Sequence, residues 1–177
     1  MKWQNIDAGE GYYYITGTLV EWQPLFYRTE VRDVLIQEIR VALRRYSASL
    51  AAFVIMPEHV HLLLHLPSKY TLHKFCKCWR GRSARRIIDY FVMQGEQQIL
   101  DIFAKHANGK CKYSAWKEQP RALAIYTTPK LREKIDYIHA NPVRRGLVQS
   151  PEEWPHSSYQ FYEREEQAEL DLIAPDL

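Results

Sequence analysis

The chain has 177 residues, of which 46% are hydrophobic and 25% are charged, and its formal net charge is +3. This composition predicts a folded domain with a sizeable core and excludes a disordered or low-complexity chain. No apolar run approaches the roughly 18 to 20 residues that span a bilayer, and the first residues do not form an apolar signal segment. We therefore expect a cytoplasmic protein that has no membrane partner.

The net charge is the sum of two unlike parts. Residues 152–177 contain eight acidic residues and one basic residue, which leaves 23 basic and 13 acidic residues in 1–151. We predict that 1–151 form the functional domain, with a balance of +10, and that 152–177 form an acidic extension whose aromatic first part docks on it. A strongly basic domain favours an anionic partner such as nucleic acid.

The first part of the chain alternates strand and helix patterns. Aromatic and β-branched residues over 12–20 predict a strand, in which the tyrosines at 12–14 are expected to serve the core and edge of a sheet. Apolar residues at helical spacing over 29–46 predict an amphipathic helix. Its outward face is expected to carry the charged residues Arg32, Glu38, Arg40 and Arg44. The apolar segments 51–56 and 59–66 predict two antiparallel strands because only two residues separate them.

A second helix, capped by Thr71, is predicted to follow, with an apolar stripe on one side and a basic surface on the other. Residues 69–88 contain seven Lys and Arg residues and no acidic residue. Such a run suits a track for DNA phosphates, although a solvated charged face explains it equally well. The candidate DNA-binding residues on this helix are Lys74, Lys77, Arg82 and Arg85.

The remainder of the body predicts a loop over 105–117, a strand over 122–127 and a third helix. Thr128 is expected to cap this helix because a proline follows it, and Pro142 is expected to end the helix near Asn141. The order strand, helix, two strands, helix, strand and helix predicts an α+β fold in which helices pack on an antiparallel β-sheet.

His59 and His61 are separated by one residue in the second of the paired strands. Side chains two residues apart project from the same face of a strand, so both imidazoles can contact one divalent metal ion. The chain contains seven histidines, and exposed positions on a sheet face explain the pair equally well. His65 shares the same face and can be mistaken for a member of such a site.

The third predicted helix places several polar groups along one edge. Tyr137 and Asn141 are four residues apart and therefore lie within about 40° of each other around the helix axis. Lys130 and Lys134 lie on the same side, so this edge combines a phenol, a neutral oxygen ligand and two cations. Packing of the Tyr137 ring against the core is the alternative explanation for that residue.

Two longer motifs carry a resemblance to a known family. Residues 56–64 are MPEHVHLLL and residues 136–148 are DYIHANPVRRGLV. In this order they resemble the single-tyrosine HUH transposases of the IS200-like type, and among these the REP-associated tyrosine transposases. The segment 153–159 is similar to the same group, and the likeness extends over about 12–160, although 99–116 match no part of that pattern. The resemblance implies a ferredoxin-like or RRM-like HUH nuclease fold.

The resemblance also implies roles for individual residues. His59 and His61 would bind Mg²⁺ or Mn²⁺, and Tyr137 would be the nucleophile. Asn141 lies where relatives have a further polar metal ligand, commonly a glutamine. Such proteins cut single-stranded DNA beside hairpins, become joined to it through a 5′-phosphotyrosine and leave a free 3′-hydroxyl.

Elementary physical chemistry agrees with these roles. A tyrosine with an ordinary pKa of about 10 is a weak nucleophile at neutral pH and needs a metal or cations to stabilise the developing charge. Lys134 is placed to shield that charge, and Arg144 and Arg145 would extend the DNA-binding surface. No nucleotide cofactor is expected, since the sequence has neither a P-loop nor a dinucleotide-binding motif.

Three functions stay open at this point. The first is a metal-dependent endonuclease and strand transferase, a transposase, that acts on single-stranded DNA with hairpin or palindromic elements. The others are a non-catalytic, domesticated DNA- or RNA-binding protein on the same fold and a metal-dependent hydrolase of small molecules. The joint presence of His59, His61 and Tyr137 favours the first, because a binding protein needs none of them. We expect it to act in the cytoplasm at the nucleoid, as a monomer or a homodimer.

Overall fold

The computed structural model describes residues 10–67, 71–109, 111–117 and 120–175. Its strands are β1 (Gly11–Thr18), β2 (Ser49–Ile55), β3 (His59–Leu66) and β4 (Arg121–Ile125). Its helices are α1 (Thr29–Arg45), α2 (Thr71–Gln94), α3 (Gln97–Lys105), α4 (Thr128–Arg144) and α5 (Tyr159–Arg164). Lys69 of the predicted basic run, Asp176 of the predicted acidic extension and the Thr71 side chain of the predicted helix cap lie outside the described residues. Within those residues, no helix is long and apolar enough to cross a membrane.

The four strands form one antiparallel sheet in the order β2-β3-β1-β4. Strand β1 therefore lies between β3 and β4, and its register places Thr16 opposite His61 and Thr18 opposite His59. Strands β2 and β3 pair across the short connection that the sequence predicts. The predicted α+β fold with an antiparallel sheet is confirmed.

The sheet separates two apolar layers. On one face, α1 and α2 cover the larger core, whose residues include Ile15, Phe53, Leu62 and Trp79. On the other face, α4 packs against Leu63 and its neighbours through the stripe that the sequence predicts, which consists of Leu131, Ile135 and Ile138. His59 and His61 alternate in step with Leu63 along β3, so they face the α4 layer.

Helix α4 differs from its predicted bounds at both ends. Its N-cap is Thr127 rather than Thr128, and the Thr127 hydroxyl accepts a hydrogen bond from a backbone N–H three residues later (3.4 Å). Pro142 lies inside the helix, which continues to Arg144. A proline inside a helix removes one backbone hydrogen bond and crowds the carbonyl four residues earlier, but here the Asn141 carbonyl still accepts a backbone bond from the residue after the helix (3.1 Å). The predicted end near Asn141 is therefore wrong.

Glu38 of α1 does not face solvent as predicted. It is 1% exposed at the contact between α1 and α2, where Arg82 and Arg86 of α2 both bond to its carboxylate. Burial alone would raise the pKa of Glu38, but these hydrogen bonds outweigh burial and lower the pKa below its ordinary value. Helical periodicity cannot distinguish such a paired carboxylate from one that points into solvent.

No element is predicted for 97–105, where α3 forms. Its Leu100 and Phe103 are buried in the larger core, and no side chain caps its N-terminus. A helix this short is stabilised mainly by packing, so its local sequence carries a weak signal. Of the loop predicted over 105–117, Lys105 is the last residue of α3, and the described residues after it form no helix and only a single bridge at Trp116.

The C-terminal extension runs along the outer edge of β2. The indole N–H of Trp154 donates to the Ile55 carbonyl (3.0 Å), and the Tyr162 hydroxyl donates to the Ala51 carbonyl (2.8 Å). Further along the extension, Leu170 is 1% exposed and belongs to the larger core. Both the aromatic first part and a later apolar residue therefore contact the body of the chain.

Gly17 of β1 packs under Trp79 of α2. A Cβ at Gly17 would meet the Trp79 ring at 2.5 Å, and such overpacking typically costs about 1–3 kcal/mol. We expect Gly17→Ala to lower the free energy of unfolding, measured by chemical denaturation, by that amount. Gly81→Ala is the matched control, because a Cβ at Gly81 meets nothing within 4 Å and alanine favours a helix over glycine by about 0.5–1 kcal/mol. Equal stability of Gly17→Ala and the native protein would contradict this packing.

His139 of α4 makes the stability of the fold depend on pH. It is buried against the extension, where its Nε2 and the Ser158 hydroxyl share a hydrogen bond (2.8 Å). Burial lowers the pKa of His139 to about 4, whereas histidine in an unfolded chain has a pKa of about 6.5. The unfolded state therefore binds this proton first, so the stability is complete above about pH 6.5 and falls as the pH drops towards 4.

We expect His139 alone to account for a loss of about 3 kcal/mol between neutral pH and pH 4. Denaturation of the native protein and of His139→Gln at both pH values isolates this contribution, because the other buried histidines titrate equally in both proteins. His139→Gln should lose correspondingly less stability on acidification. An identical pH dependence of the two proteins would show that His139 does not titrate as described.

Candidate functional site

His59 and His61 lie side by side on the face of β3 that α4 covers. Their Nε2 atoms are 3.1 Å apart, and each residue is only 5% exposed. Burial lowers the pKa of both imidazoles; the charges of His59 and Lys134 lower the pKa of His61 further, whereas Glu58 partly opposes the effect at His59. Both rings are therefore neutral at neutral pH and can present nitrogen lone pairs to a cation.

Glu58 determines the tautomer of His59. A Glu58 carboxylate oxygen lies 3.0 Å from the His59 Nδ1 atom. Because a carboxylate only accepts hydrogen bonds, Nδ1 carries the proton and Nε2 carries the lone pair. Arg145, the residue after α4, donates to the same carboxylate oxygen (2.9 Å). An outer carboxylate contact of this kind is typical of histidines that bind metal ions.

The Nδ1 atom of His61 contacts two hydroxyl groups of β1. The Tyr14 hydroxyl lies 2.7 Å away and the Thr16 hydroxyl 2.8 Å away. Both contacts follow from the register, because Thr16 is opposite His61 and Tyr14 is the next residue along the same face. Tyr14 therefore belongs to the site as well as to the sheet. Sequence patterns predict the strand but not its pairing with a distant strand, so nothing in them singled out these two hydroxyls.

Tyr137 of α4 lies beside the histidines in the same chain. Its ring centroid is 5.8 Å from that of His61 and 6.1 Å from that of Tyr14. Burial, together with a hydrogen bond between the two phenol groups, raises the pKa of Tyr14, which thus stays protonated as a donor to Tyr137. Two cations face the Tyr137 ring, with the Lys134 Nζ atom and the Arg144 guanidinium each 5.2 Å from its centroid.

Asn141 lies one helical turn after Tyr137 and one turn before Arg145, between the residues that contact His61 and Glu58. It is 5% exposed, and its Nδ2 atom has no hydrogen-bond partner among the residues that the structure describes. A half-turn of the side-chain amide exchanges its nitrogen and oxygen positions. The Asn141 carboxamide can therefore offer an oxygen to a cation at this place.

The donors suit a divalent ion that also keeps several oxygen ligands. No group of three or more His, Cys, Asp or Glu residues suited to a metal occurs in the described ranges, so the candidate ligands are two imidazoles and a carboxamide. The His59 lone pair faces the His61 ring at 3.1 Å, an arrangement that a shared proton or a shared cation stabilises. This donor set without a carboxylate suits Mn²⁺ better than Mg²⁺ and leaves positions for phosphate oxygens and water.

Three of the predicted DNA-binding residues lie at the histidine site. Lys134 and Arg144 face the Tyr137 ring, and Arg145 contacts Glu58. Lys130, which the helix geometry predicts on the same edge, instead bonds to the Glu133 carboxylate on the exposed surface.

The other four predicted DNA-binding residues lie on α2, on the opposite face of the sheet. Lys74 and Lys77 are exposed, whereas Arg82 and Arg85 are each paired with a carboxylate. Two of the four, Lys77 and Arg85, also line an open groove of about 1300 Å³ between α2 and residues 106–109 and 111–116. The structure therefore does not bring these residues to the histidine site; they contribute to a separate basic surface.

The amino-acid sequence matches the family model described as Transposase IS200 like over residues 18–104. A REP-associated tyrosine transposase of Escherichia coli is 30% identical over 108 residues, which cover 61% of this chain and 52% of that protein. A Haemophilus influenzae protein classed with the same transposases is 25% identical over 156 residues, which cover 86% of this chain and 82% of that protein. The chain is therefore similar to the IS200-like transposases in amino-acid sequence. The matched family region contains His59 and His61 and ends before Tyr137.

A solved structure agrees with the fold of this chain. A REP-associated tyrosine transposase bound to a REP hairpin superposes on it with a TM-score of 0.65 at 20% identity. The superposition covers 100% of this chain and 94% of that chain. The predicted HUH-type arrangement of sheet and helices is therefore confirmed.

Proposed function

We propose that this chain cuts and rejoins single-stranded DNA beside hairpins, as a transposase with Tyr137 as its nucleophile. The observation that supports this most directly is the position of Tyr137, whose ring lies 5.8 Å from that of His61 within one chain. A phenol, two neutral imidazoles and two cations together offer a nucleophile, metal ligands and charge stabilisation. The solved relative is bound to a REP hairpin, which favours a hairpin substrate for this chain. The proposed place of action is the nucleoid.

The proposed ligands of the metal ion, Mg²⁺ or Mn²⁺, are His59, His61 and Asn141. When bound, the ion would supply Lewis-acid polarisation of the scissile phosphate. Glu58 holds the His59 ring through Nδ1 (3.0 Å), and Tyr14 and Thr16 hold the His61 ring in the same way (2.7 and 2.8 Å). These contacts keep the two Nε2 atoms directed at each other and so preserve the geometry of the ligand pair.

In the proposed reaction, the Tyr137 hydroxyl oxygen attacks the phosphorus and the bond to the upstream 3′ oxygen breaks. Tyr14 donates a hydrogen bond to Tyr137 and so stabilises the negative charge that develops on its oxygen. Lys134 adds a positive charge beside both rings, 5.3 Å from the Tyr14 centroid and 5.2 Å from the Tyr137 centroid. The phosphotyrosine conserves the energy of the broken bond, so attack by a 3′-hydroxyl rejoins the DNA without a nucleotide cofactor.

Two basic surfaces would share the binding of the DNA. Arg144 and Arg145 beside the site would hold phosphates next to the cleaved bond, and the basic residues of α2 would hold phosphates of the hairpin. The α2 residues proposed for this contact are Lys74, Lys77, Arg82 and Arg85. Because the two surfaces lie on opposite faces of the sheet, DNA that contacts both must pass around a sheet edge. Every proposed residue belongs to one chain, so the proposal requires no second protomer.

Incubation with Mn²⁺ and a labelled DNA hairpin with single-stranded arms tests the proposal. We expect a protein–DNA adduct that survives denaturing electrophoresis. Tyr137→Phe should remove the adduct completely, because phenylalanine has no hydroxyl to join to phosphorus. Tyr126→Phe is the matched control, since Tyr126 is 71% exposed and follows β4 at the end of the sheet far from the histidines; it should form as much adduct as the native protein.

The other outcomes distinguish the alternatives. His61→Ala should lose the adduct while it retains hairpin binding, and full activity of this variant would refute the metal role. An adduct that persists in Tyr137→Phe would assign the nucleophile to another residue. Hairpin binding without any adduct in the native protein would favour the non-catalytic DNA- or RNA-binding function. Metal-dependent turnover of a small substrate that persists in Tyr137→Phe would indicate the hydrolase.

Tyr14→Phe removes the hydroxyl that contacts both His61 and Tyr137 but keeps the ring. Loss of an outer contact to a metal ligand typically costs about 10–100-fold, so we expect the initial rate of adduct formation to fall by that factor. Hairpin affinity, measured by gel shift without metal, should not change, because the hydroxyl is directed at protein groups. Tyr126→Phe again serves as the control. An undiminished rate would remove Tyr14 from the proposed mechanism.

A further inference from the structure

A pocket of about 380 Å³ lies next to the histidine site. Its lining includes Trp22 and Tyr27, together with Glu58 and Arg145, which connect it to His59. Trp22 is 51% exposed and Tyr27 is 59% exposed. Two exposed aromatic rings beside a guanidinium and a carboxylate offer both stacking and hydrogen bonding to a ligand.

The backbone holds Trp22 in a conformation that is unfavourable by itself. Glu21 and Trp22 have φ angles of 49° and 55°, in the left-handed region that such side chains seldom adopt. Two backbone bonds close this turn, from Trp22 N–H to the Leu19 carbonyl and from Gln23 N–H to the Val20 carbonyl, each at 3.2 Å. Strain of this kind persists where the surrounding structure enforces it, and it is concentrated at functional sites.

A series of ring contacts connects this pocket to Tyr137. The centroid distances are 5.8 Å from Tyr137 to His61, 4.7 Å from His61 to His59 and 5.9 Å from His59 to Trp22. Helix α4 runs alongside, with Tyr137 near one end of the series and Arg145, just after the helix, near the other. The histidine pair therefore lies between the proposed nucleophile and the pocket.

Phosphoryl transfer places the attacking and leaving oxygens roughly in line on opposite sides of the phosphorus. A phosphate at the histidine pair that is attacked by Tyr137 from one side has its leaving 3′ oxygen directed to the other side, where Trp22 lies. The nucleotide that carries this oxygen is the one immediately upstream of the cleaved bond.

We propose that the pocket binds the unpaired base of the nucleotide immediately upstream of the cleaved bond. This inference rests on the proposed function of the histidine site. In that step the bond between the Tyr137 oxygen and phosphorus forms, the bond between phosphorus and the 3′ oxygen breaks, the phenol releases its proton and the 3′ oxygen gains one. A base held in the pocket keeps the new 3′-hydroxyl in place for the reverse attack.

The lining also predicts which bases the pocket prefers. Trp22 and Tyr27 supply stacking surfaces, and the Lys117 Nζ atom, 4.2 Å from the Trp22 ring centroid, adds a positive charge for the DNA backbone. The Arg145 side chain is 50% exposed and bonds to Glu58 through one nitrogen, so its guanidinium retains further N–H donors. A guanidinium fork fits two adjacent acceptors, which guanine (O6 and N7) and cytosine (O2 and N3) offer and adenine and thymine lack.

Binding measurements in a non-cleaving background test the pocket separately from the chemistry. The probe is a DNA hairpin with single-stranded oligo(dT) arms, in which one thymidine at a time is replaced by guanosine, cytidine, adenosine or an abasic residue, all in the deoxy form. Affinities for Tyr137→Phe are measured by fluorescence anisotropy in the presence of Mn²⁺. We expect one arm position at which guanine or cytosine binds about tenfold more tightly than the abasic residue. In the adduct of the native protein, the joined phosphate should lie directly downstream of that position.

Variants of the pocket in the same background assign the effect to its residues. Trp22→Ala should reduce the difference in affinity between a guanine or cytosine and an abasic residue at this position to less than about twofold. Trp22→Phe, which keeps an aromatic ring, should retain most of this difference in affinity. Arg145→Lys should keep the gain from stacking but lose the preference for guanine and cytosine, because an ammonium cannot form the two parallel bonds. Tyr126→Ala, which removes an exposed aromatic ring far from the pocket, should change nothing.

Two results would overturn the proposal. The first is the lack of any base-sensitive position, or a sensitivity that Trp22→Ala leaves unchanged, since either would exclude base binding in the pocket. The second is a base-sensitive position downstream of the joined phosphate, which would show that the bound base does not belong to the nucleotide that carries the leaving 3′ oxygen. Failure of the proposed function is distinguishable from both, because it would appear as a native protein that forms no adduct while the base-dependent binding persists.

Discussion

The pairing of β1 with β3 is the constraint on which the site depends. It places Thr16 opposite His61 and brings the Tyr14 hydroxyl to 2.7 Å from the His61 ring. Because side chains alternate along a strand, the same pairing turns His59 and His61 to the α4 face while Leu62 enters the larger core. A slip of one residue would exchange the two faces and remove all of these contacts. One register therefore specifies both the core and the site.

The two faces of the sheet contribute differently to the stability of the fold. On the α4 face, neutral buried imidazoles and the carboxylate of Glu58 occupy positions that apolar side chains would fill with less loss of solvation energy. On the other face, α1 and α2 cover a predominantly apolar core that includes Phe75 and Trp79, and its burial offsets that loss. Most of the stability of the fold therefore comes from the apolar core on the α1 and α2 face. Because that core offsets the cost of burying the polar groups, the fold can hold them in one geometry.

Local patterns predicted the strands, three of the helices and the alternation that pairs the two histidines, because each depends on residues close together in the chain. The four-residue spacing that places Tyr137 and Asn141 on one edge of α4 is equally local, although the roles of these residues stay predictions. Tyr14 could not be found in this way, since its contact with His61 depends on the register of strands far apart in sequence. Glu38 was wrongly predicted for a related reason: its partners lie on another helix.

Along β2, the C-terminal extension occupies backbone groups that an edge strand would otherwise leave unpaired. The Ile55 N–H donates to the His156 carbonyl (2.8 Å), and the Leu50 carbonyl accepts from the Ile173 N–H (2.9 Å). Exposed strand edges are templates for pairing with another chain, and proteins that cover them avoid edge-to-edge aggregation. The C-terminal extension therefore covers the β2 edge of this chain, and a chain without the extension would present the unpaired backbone groups of Leu50 and Ile55 to other chains.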